Sequence, residues 1–153
     1  MKYQLHREQQ LKTDIAAAWT FFSSPYNLSV LTPASMKFKV RSELDDESIF
    51  EGMLINYNVT PLLGIPMSWQ TEITQVSPLH SFTDYQKKGP YKLWNHHHQF
   101  IENENGVLVI DTVDYELPFG ILGDWVHGLL VKKKLDHIFD YRFEVLEKKF
   151  NTQ

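Results

Sequence analysis

The chain has no cysteine among its 153 residues, which excludes disulfides, thiolate catalysis and cysteine-ligated zinc or iron–sulfur clusters. No apolar run approaches the roughly 20 residues that span a bilayer. Nor is there an excess of positive charge. Fifteen basic residues against 19 acidic ones give a formal charge of −4, so the basic footprint that wraps a phosphate backbone is missing and nucleic acid is not an expected partner. There is no glycine-rich phosphate loop, nucleophile elbow, helical zinc signature or EF-hand motif, and no cofactor is expected. The polar opening Met1 to Gln10 does not read as a secretory signal, so a cytoplasmic location is expected.

What is present fits one domain spanning 1–153, long enough to remove roughly 70% of its unfolded surface from water. Met1 to Gln10 alternates loosely and predicts a strand. A helix follows, capped by Thr13, with Asp14 at its positive end and Ile15, Ala18, Trp19 and Phe22 at helical spacing; Ser23-Ser24-Pro25 stops it. Tyr26 to Leu31 predicts a shorter second helix with Leu28 and Leu31 inward. From Met36 to Leu117 the period changes to two, with turn chemistry at Asp45-Asp46, Pro61 to Pro66, Ser77-Pro78, Gly89-Pro90 and Asn105-Gly106. That spacing describes an antiparallel meander of about six strands. One face is apolar (Met67, Trp69, Ile73; Val107, Val109, Val113, Tyr115, Leu117) and the other polar, as a sheet covered on one side requires.

The expected cover is a long C-terminal helix from about Asp124 to Lys149, with Trp125, Leu129, Leu135, Phe139, Phe143 and Leu146 as its apolar stripe. The fold class is therefore α+β: a curved seven-stranded antiparallel sheet around one long helix, with two short helices after the first strand. The space between sheet and helix is a natural cavity.

Within the apolar strands, titratable groups sit where core residues are expected. Trp94, His96, His98 and Phe100 share one strand face, with Asp84 on the preceding strand and Asp111 on the following one. A four-residue turn at Asn103 to Gly106 sets His98 opposite Asp111, a two-residue Asn105-Gly106 turn sets it opposite Val113 with Asp111 diagonal, and a loop centred on Pro90 sets Asp84 opposite His96. Facing Cβ atoms lie about 5 Å apart, which predicts two Asp–His hydrogen bonds between facing residues. A carboxylate raises an imidazole pKa and burial lowers it, so the net shift is not readable from sequence.

Several uses of this constellation stay open. It can anchor a ligand oxygen. It can act in acid/base catalysis of aldol or dehydration type, with His96, His98, Asp84 and Asp111 as catalytic candidates. It can hold a metal through the alternate histidines and a carboxylate, although no metal is expected. It can also be a satisfied polar network fixing strand register. Trp69, Phe82, Trp94, Tyr115 and Phe139 read as cavity lining or as plain core. Arg142 lies on the side of Phe139 and can reach a ligand carboxylate, a surface ion pair being the simpler expectation. His127 and His137 read as solvated, and Lys132 to Lys134 as a solvated helix face or a contact to anionic lipid. Pro61 to Pro66 and Leu117 to Leu122 are apolar connections that either pack together or form a cavity mouth facing a membrane or a partner.

One set of residues carries a resemblance over nearly the whole chain. It comprises Trp19-Thr20-Phe21-Phe22-Ser23, Asn27-Leu28, Leu31-Thr32-Pro33, Phe82, Asp84, Gln86, Gly89-Pro90, Trp94, His96, His98, Phe100, Asp111, Val113, Tyr115 and Pro118-Phe119-Gly120. This set resembles the START-related, helix-grip superfamily (SRPBCC), which includes lipid-transfer domains, polyketide cyclases, ubiquinone-binding proteins and the birch-pollen allergen type. It is similar in particular to small bacterial ligand-binding proteins of that group, some labelled cell division inhibitors. The resemblance implies a helix-grip fold and a cavity for a lipid, quinone or polyketide-like molecule; the group shares no single active site. The expected polar contacts are Asp84, His96, His98, Asp111 and Tyr115. The alternatives are a cyclase or dehydratase using His96 or His98 as base, and an interaction module with a vestigial cavity. A homodimer through a sheet edge or the exposed loops is a further open partner.

Overall fold

The computed structural model describes residues 1–44, 48–61 and 64–152. The expected turn at Asp45-Asp46, and Leu62-Leu63 of the apolar loop, lie outside the described residues. The described elements are β1 (Lys2–Leu11), α1 (Ile15–Phe22), α2 (Asn27–Val30), a 3-10 turn (Ala34–Met36), β2 (Lys39–Val40), β3 (Leu54–Val59), β4 (Met67–Ser77), β5 (Ser81–Lys88), β6 (Leu93–Asn103) and β7 (Gly106–Glu116). A helix then runs without a break through α3 (Gly120–Val126), a π turn (His127–Val131), α4 (Lys132–Leu146) and a second π turn (Glu147–Asn151). The strands form one antiparallel sheet in the order β1-β7-β6-β5-β4-β3-β2. This is the helix-grip architecture that the sequence predicts.

Alternation places the inner face. In β7, Val107, Val109, Asp111, Val113 and Tyr115 are buried, and in β6, Trp94, His96, His98 and Phe100. The β6–β7 hairpin closes at the paired Asn103 and Gly106. Gly106 has φ +127°, and a Cβ there would stand 2.1 Å from the Leu11 carbonyl oxygen, so only glycine lets β1 run so close to the turn.

Three expectations about the helices are corrected. Asp14, not Thr13, caps α1, its Oδ1 accepting from the Ala17 N–H at 2.7 Å; a carboxylate does this well because it also meets the helix dipole. The long helix starts at Gly120 rather than Asp124 and extends to Asn151. Its buried stripe is Gly123, His127, Val131, Leu135, Phe139, Arg142 and Leu146, whereas Trp125, Leu129 and Phe143 are exposed. Residues four apart drift around an α-helix of 3.6 residues per turn. The wider π turn cancels that drift and keeps Gly123, His127 and Val131 facing the sheet. Gly123 is held tightly, since a Cβ there would lie 2.2 Å from the Pro118 carbonyl oxygen.

The interior has two apolar regions. One gathers Leu11, Phe22, Ile55, Ile73, Phe82, Phe100, Val107, Val109 and Leu146. The other gathers Leu5, Trp94, Val113, Tyr115, Val131, Leu135 and Phe139. Between them, along β5, β6, β7 and α4, runs a polar layer. No described helix is long and apolar enough to cross a membrane.

Candidate functional site

The polar layer is built from Asp84 on β5, His96 and His98 on β6, Asp111 on β7 and Arg142 on α4. The strand register is the expected one: Asp84 pairs with His96 and His98 with Asp111. The hydrogen bonds, however, cross that register. His98 Nε2–H donates to Asp84 Oδ2 at 2.6 Å and His96 Nε2–H to Asp111 Oδ1 at 2.8 Å. Facing Cβ atoms are close, but an imidazole Nε2 projects well past its Cβ and leans along the strand, so the diagonal carboxylate is the one it meets.

Arg142 is also placed otherwise than the sequence suggests. It is buried rather than paired at the surface, and its Nη2 donates to Asp111 Oδ1 at 3.1 Å. Its guanidinium lies 5.4 Å from the Phe22 ring centroid and 5.9 Å from that of Phe139, so two aromatic faces supply the attraction that water would otherwise give the cation.

The protonation pattern follows from these contacts. Burial pushes the two carboxyls up, but the charge and hydrogen bonds around them prevail. Asp84 is held below the usual range by His96 and His98, and Asp111 well below it by Arg142, His96 and His98. Burial pushes His98 down, yet its contacts with Asp111 and Asp84 outweigh that and raise it. Burial and the neighbouring His98 charge lower His96. The layer therefore sets two carboxylates against Arg142 and His98, the imidazole whose charged form its contacts favour, while the environment of His96 favours its neutral form.

Four unpartnered atoms then decide the chemistry. His96 Nε2–H donates its hydrogen bond to Asp111, leaving Nδ1, 3.8 Å from Asp84 Oδ2, as a free acceptor. Asp84 uses Oδ2 for His98, and its Oδ1 makes no side-chain hydrogen bond among the described residues. Arg142 Nε is buried without a partner. His98 Nδ1 is also unpartnered: it lies 3.2 Å from Asp111 Oδ1, near enough for charge attraction but outside hydrogen-bond geometry.

A cavity of about 170 Å³ opens beside this layer. Trp69, Phe82, Asp84, Trp94, His96, His98, Phe139 and Arg142 line it; Asp111 and Tyr115 do not. Asp111 stands behind both histidines. The Tyr115 hydroxyl instead meets His127 Nε2 at 2.7 Å, and Tyr3 stacks on His127 at 3.5 Å while its own hydroxyl donates to Asp124. His127, expected in solvent, is thus buried, and burial lowers its pKa; His137 is exposed as expected. Sequence reasoning missed the lining from Phe22 and Leu28 at the α1–α2 corner and from Tyr57 on β3. Tyr57 alternates with Ile55 and Val59 on the inner face, a period-two signal that could have found it. Burial and the charge of Asp84 push its phenol pKa up, so it stays protonated.

Asp84, His96 and His98 also place ligand atoms within 4.8 Å of one another, the spacing of a three-ligand metal site. The two imidazoles are stacked at 3.7 Å and 27°, so their in-plane lone pairs run side by side rather than converging on one ion. The arrangement fits a proton-bridged carboxylate better than a metal centre.

No protein-family model matches the chain, and no curated protein matches it significantly. Solved structures do. A protein from Chromobacterium violaceum superposes with a TM-score of 0.72 at 11% identity over 99% of each chain. The ginseng major latex-like protein 151 of Panax ginseng gives 0.68 at 15% identity over 98% of each chain. A protein from Mycobacterium smegmatis gives 0.63 at 19% identity, over 95% of this chain and 91% of its own. Likeness at these identities establishes the fold alone.

Proposed function

We propose that this chain binds a small amphipathic molecule, with its apolar body in the cavity between sheet and helix and a hydroxyl end at Asp84, His96 and Arg142. The carrying observation is an otherwise apolar cavity that ends on an ionised carboxylate with one oxygen unused. Of the unpartnered atoms, Asp84 Oδ1 and His96 Nδ1 are acceptors, so the matching ligand group donates. A hydroxyl also accepts, which suits the orphaned Nε of Arg142. A ligand carboxylate would face Asp84 with like charge.

Size narrows the class further. A cavity of about 150 Å³ takes benzene, whereas drug-sized ligands need roughly 300–1,000 Å³; at about 170 Å³ this one suits a single substituted ring. Within the range that the resemblance implies, that favours a phenol or aryl alcohol over a lipid or a long-chain quinone. On this reading the chain is a cytoplasmic ligand-binding member of the START-related superfamily. An enzymatic reading has one specific support, the free lone pair of neutral His96, which is placed as a general base for a bound carbonyl compound.

The test is calorimetric titration with a series that differs only at the para position: p-cresol, toluene and p-toluate. Binding in the order p-cresol, toluene, p-toluate is expected. Asp84→Asn should weaken p-cresol by about 10- to 100-fold, the worth of a hydrogen bond to a charged group, and leave toluene unchanged. Equal affinity for cresol and toluene, or a preference for the carboxylate, would sink the assignment of the polar end.

A further inference from the structure

The first half of the long helix turns an apolar face away from the protein. Phe119, Ile121, Leu122, Trp125, Leu129 and Leu130 are between 46 and 89% exposed. The helix is not loosely attached there, because Gly123, His127 and Val131 bury its other side and His127 is bonded to Tyr115. Phe119 moreover holds φ +71°, a left-handed conformation that is strained for a non-glycine residue. That strained turn presents the phenyl ring to solvent.

The surroundings of this face indicate what covers it. The polar side chains within the segment are turned inward: Asp124 accepts from Tyr3 and His127 meets Tyr115. One helical turn beyond Leu129 and Leu130 stand Lys133 and Lys134, which make no salt bridge among the described residues, unlike Lys132, which pairs with Asp136 at 2.8 Å. An aliphatic and tryptophan face bordered by free lysines is the composition of a helix lying in a lipid interface. A stable dimer buries some 20–30 residues a side, far more than six side chains of one helix.

Topology sets this face at one end of the cavity. β3 ends and β4 begins, β5 ends and β6 begins, and β7 ends, all at the end of the sheet from which α3 departs. Pro61 and Tyr91, in connections at that end, line the cavity, and Ile65 beside them is exposed. We propose that α3 and the π turn after it dock this chain on an anionic lipid bilayer, Trp125 and Ile121 entering the interface and Lys133 and Lys134 meeting the headgroups. The assignment does not depend on what occupies the cavity.

Vesicle flotation and tryptophan emission test it, with vesicles of phosphatidylcholine alone and with phosphatidylglycerol added. The protein should float with the anionic vesicles and its emission should shift to the blue, Trp125 being the exposed tryptophan among the four. Ile121→Asp with Trp125→Asp should abolish flotation while leaving the circular dichroism spectrum and thermal midpoint unchanged, since neither side chain supports the core. Lys133→Gln with Lys134→Gln should weaken anionic-vesicle binding by about five-fold per lysine. Absence of flotation with both vesicles, or flotation unaffected by the Ile121 and Trp125 changes, would overturn the proposal. So would a wild-type dimer that those changes make monomeric and that ignores vesicles, because a second copy would then cover the face.

Discussion

Replacing Arg142 by methionine keeps an unbranched side chain between Phe22 and Phe139 and removes the cation facing Asp111. Asp111 Oδ1 then keeps the bond from His96 at 2.8 Å and the His98 ring nitrogen at 3.2 Å, but loses the guanidinium at 3.1 Å. Breaking a buried ion pair from one side costs about 3–5 kcal/mol. Removing the unpartnered Nε and burying a thioether in its place offset part of that, so a loss of about 3 kcal/mol is expected at pH 8. In a chain of this length that lowers the thermal midpoint by about 6–12 °C.

The loss should depend on pH in a particular direction. The two carboxylates would keep only the imidazoles as neighbouring cation-formers, and His96 becomes the group able to restore balance by taking a proton. Its folded pKa, lowered in the wild type, should rise in the variant. A raised histidine stabilises the fold below its unfolded pKa of about 6.5 and loses that contribution as pH rises through the folded value. The gap between variant and wild type should therefore narrow from about pH 8 to about pH 5.5. Urea unfolding followed by tryptophan fluorescence at both pH values measures it. A deficit below about 1 kcal/mol at pH 8, or one that stays constant or widens toward acid, would refute this charge assignment.

In the wild type, His98 is raised and stabilises as pH falls toward about 6.5, whereas His96, His97 and His127 are lowered and oppose the proton the unfolded chain takes up below that pH. Urea midpoints across pH should thus peak near about 6.5 and fall further as Asp84 and Asp111, both lowered, protonate below their unfolded pKa of about 3.9. Tyr115→Phe strands His127 Nε2 and should cost about 1–3 kcal/mol in thermal unfolding, yet leave p-cresol affinity unchanged, because Tyr115 does not line the cavity. Gly106→Ala forces a Cβ against the Leu11 carbonyl at positive φ and should cost more in urea unfolding free energy than the roughly 1 kcal/mol of an ordinary loop substitution; a neutral result would mean that β1 can move away.

Much of the sheet was legible because strand register follows from period and turn length. The loop around Pro90 pointed to Asp84 opposite His96, whereas the Asn103 to Gly106 turn left two registers open for His98, and the structure takes the one that faces it to Asp111. The bonds between those four residues were not legible, since they depend on side-chain direction, which a two-residue period does not contain. The phase of the long helix was hidden for a different reason. From Ile121 to Val131 apolar residues fall on every side, so periodicity selects no face, and the π turn then resets the phase that α4 would extrapolate backward. Arg142 and His127 were read as surface residues because a charged or polar residue in a helix usually is one. Only the inward partners, Asp111 on β7 and Tyr115 beside it, make their burial intelligible, and those partners are distant in sequence.

Stability alone does not account for five polar residues between two apolar clusters. Buried ion networks are often no more stabilising than well-packed apolar residues of similar volume, and this one leaves Arg142 Nε and His98 Nδ1 without partners. What the network does achieve is fixed direction. Asp111 is held by Arg142 and His96, His96 is thereby held in one tautomer, and His98 ties Asp84 by a single oxygen. Each constraint leaves one group facing the cavity with a defined hydrogen-bonding role. Such preorganisation avoids ordering the side chains when a ligand arrives. A cluster built only to pin strand register would spend Asp84 Oδ1 and His96 Nδ1 on donors within the protein; here neither has a side-chain partner among the described residues, and both lie on residues lining the apolar cavity, as the proposed donating ligand requires.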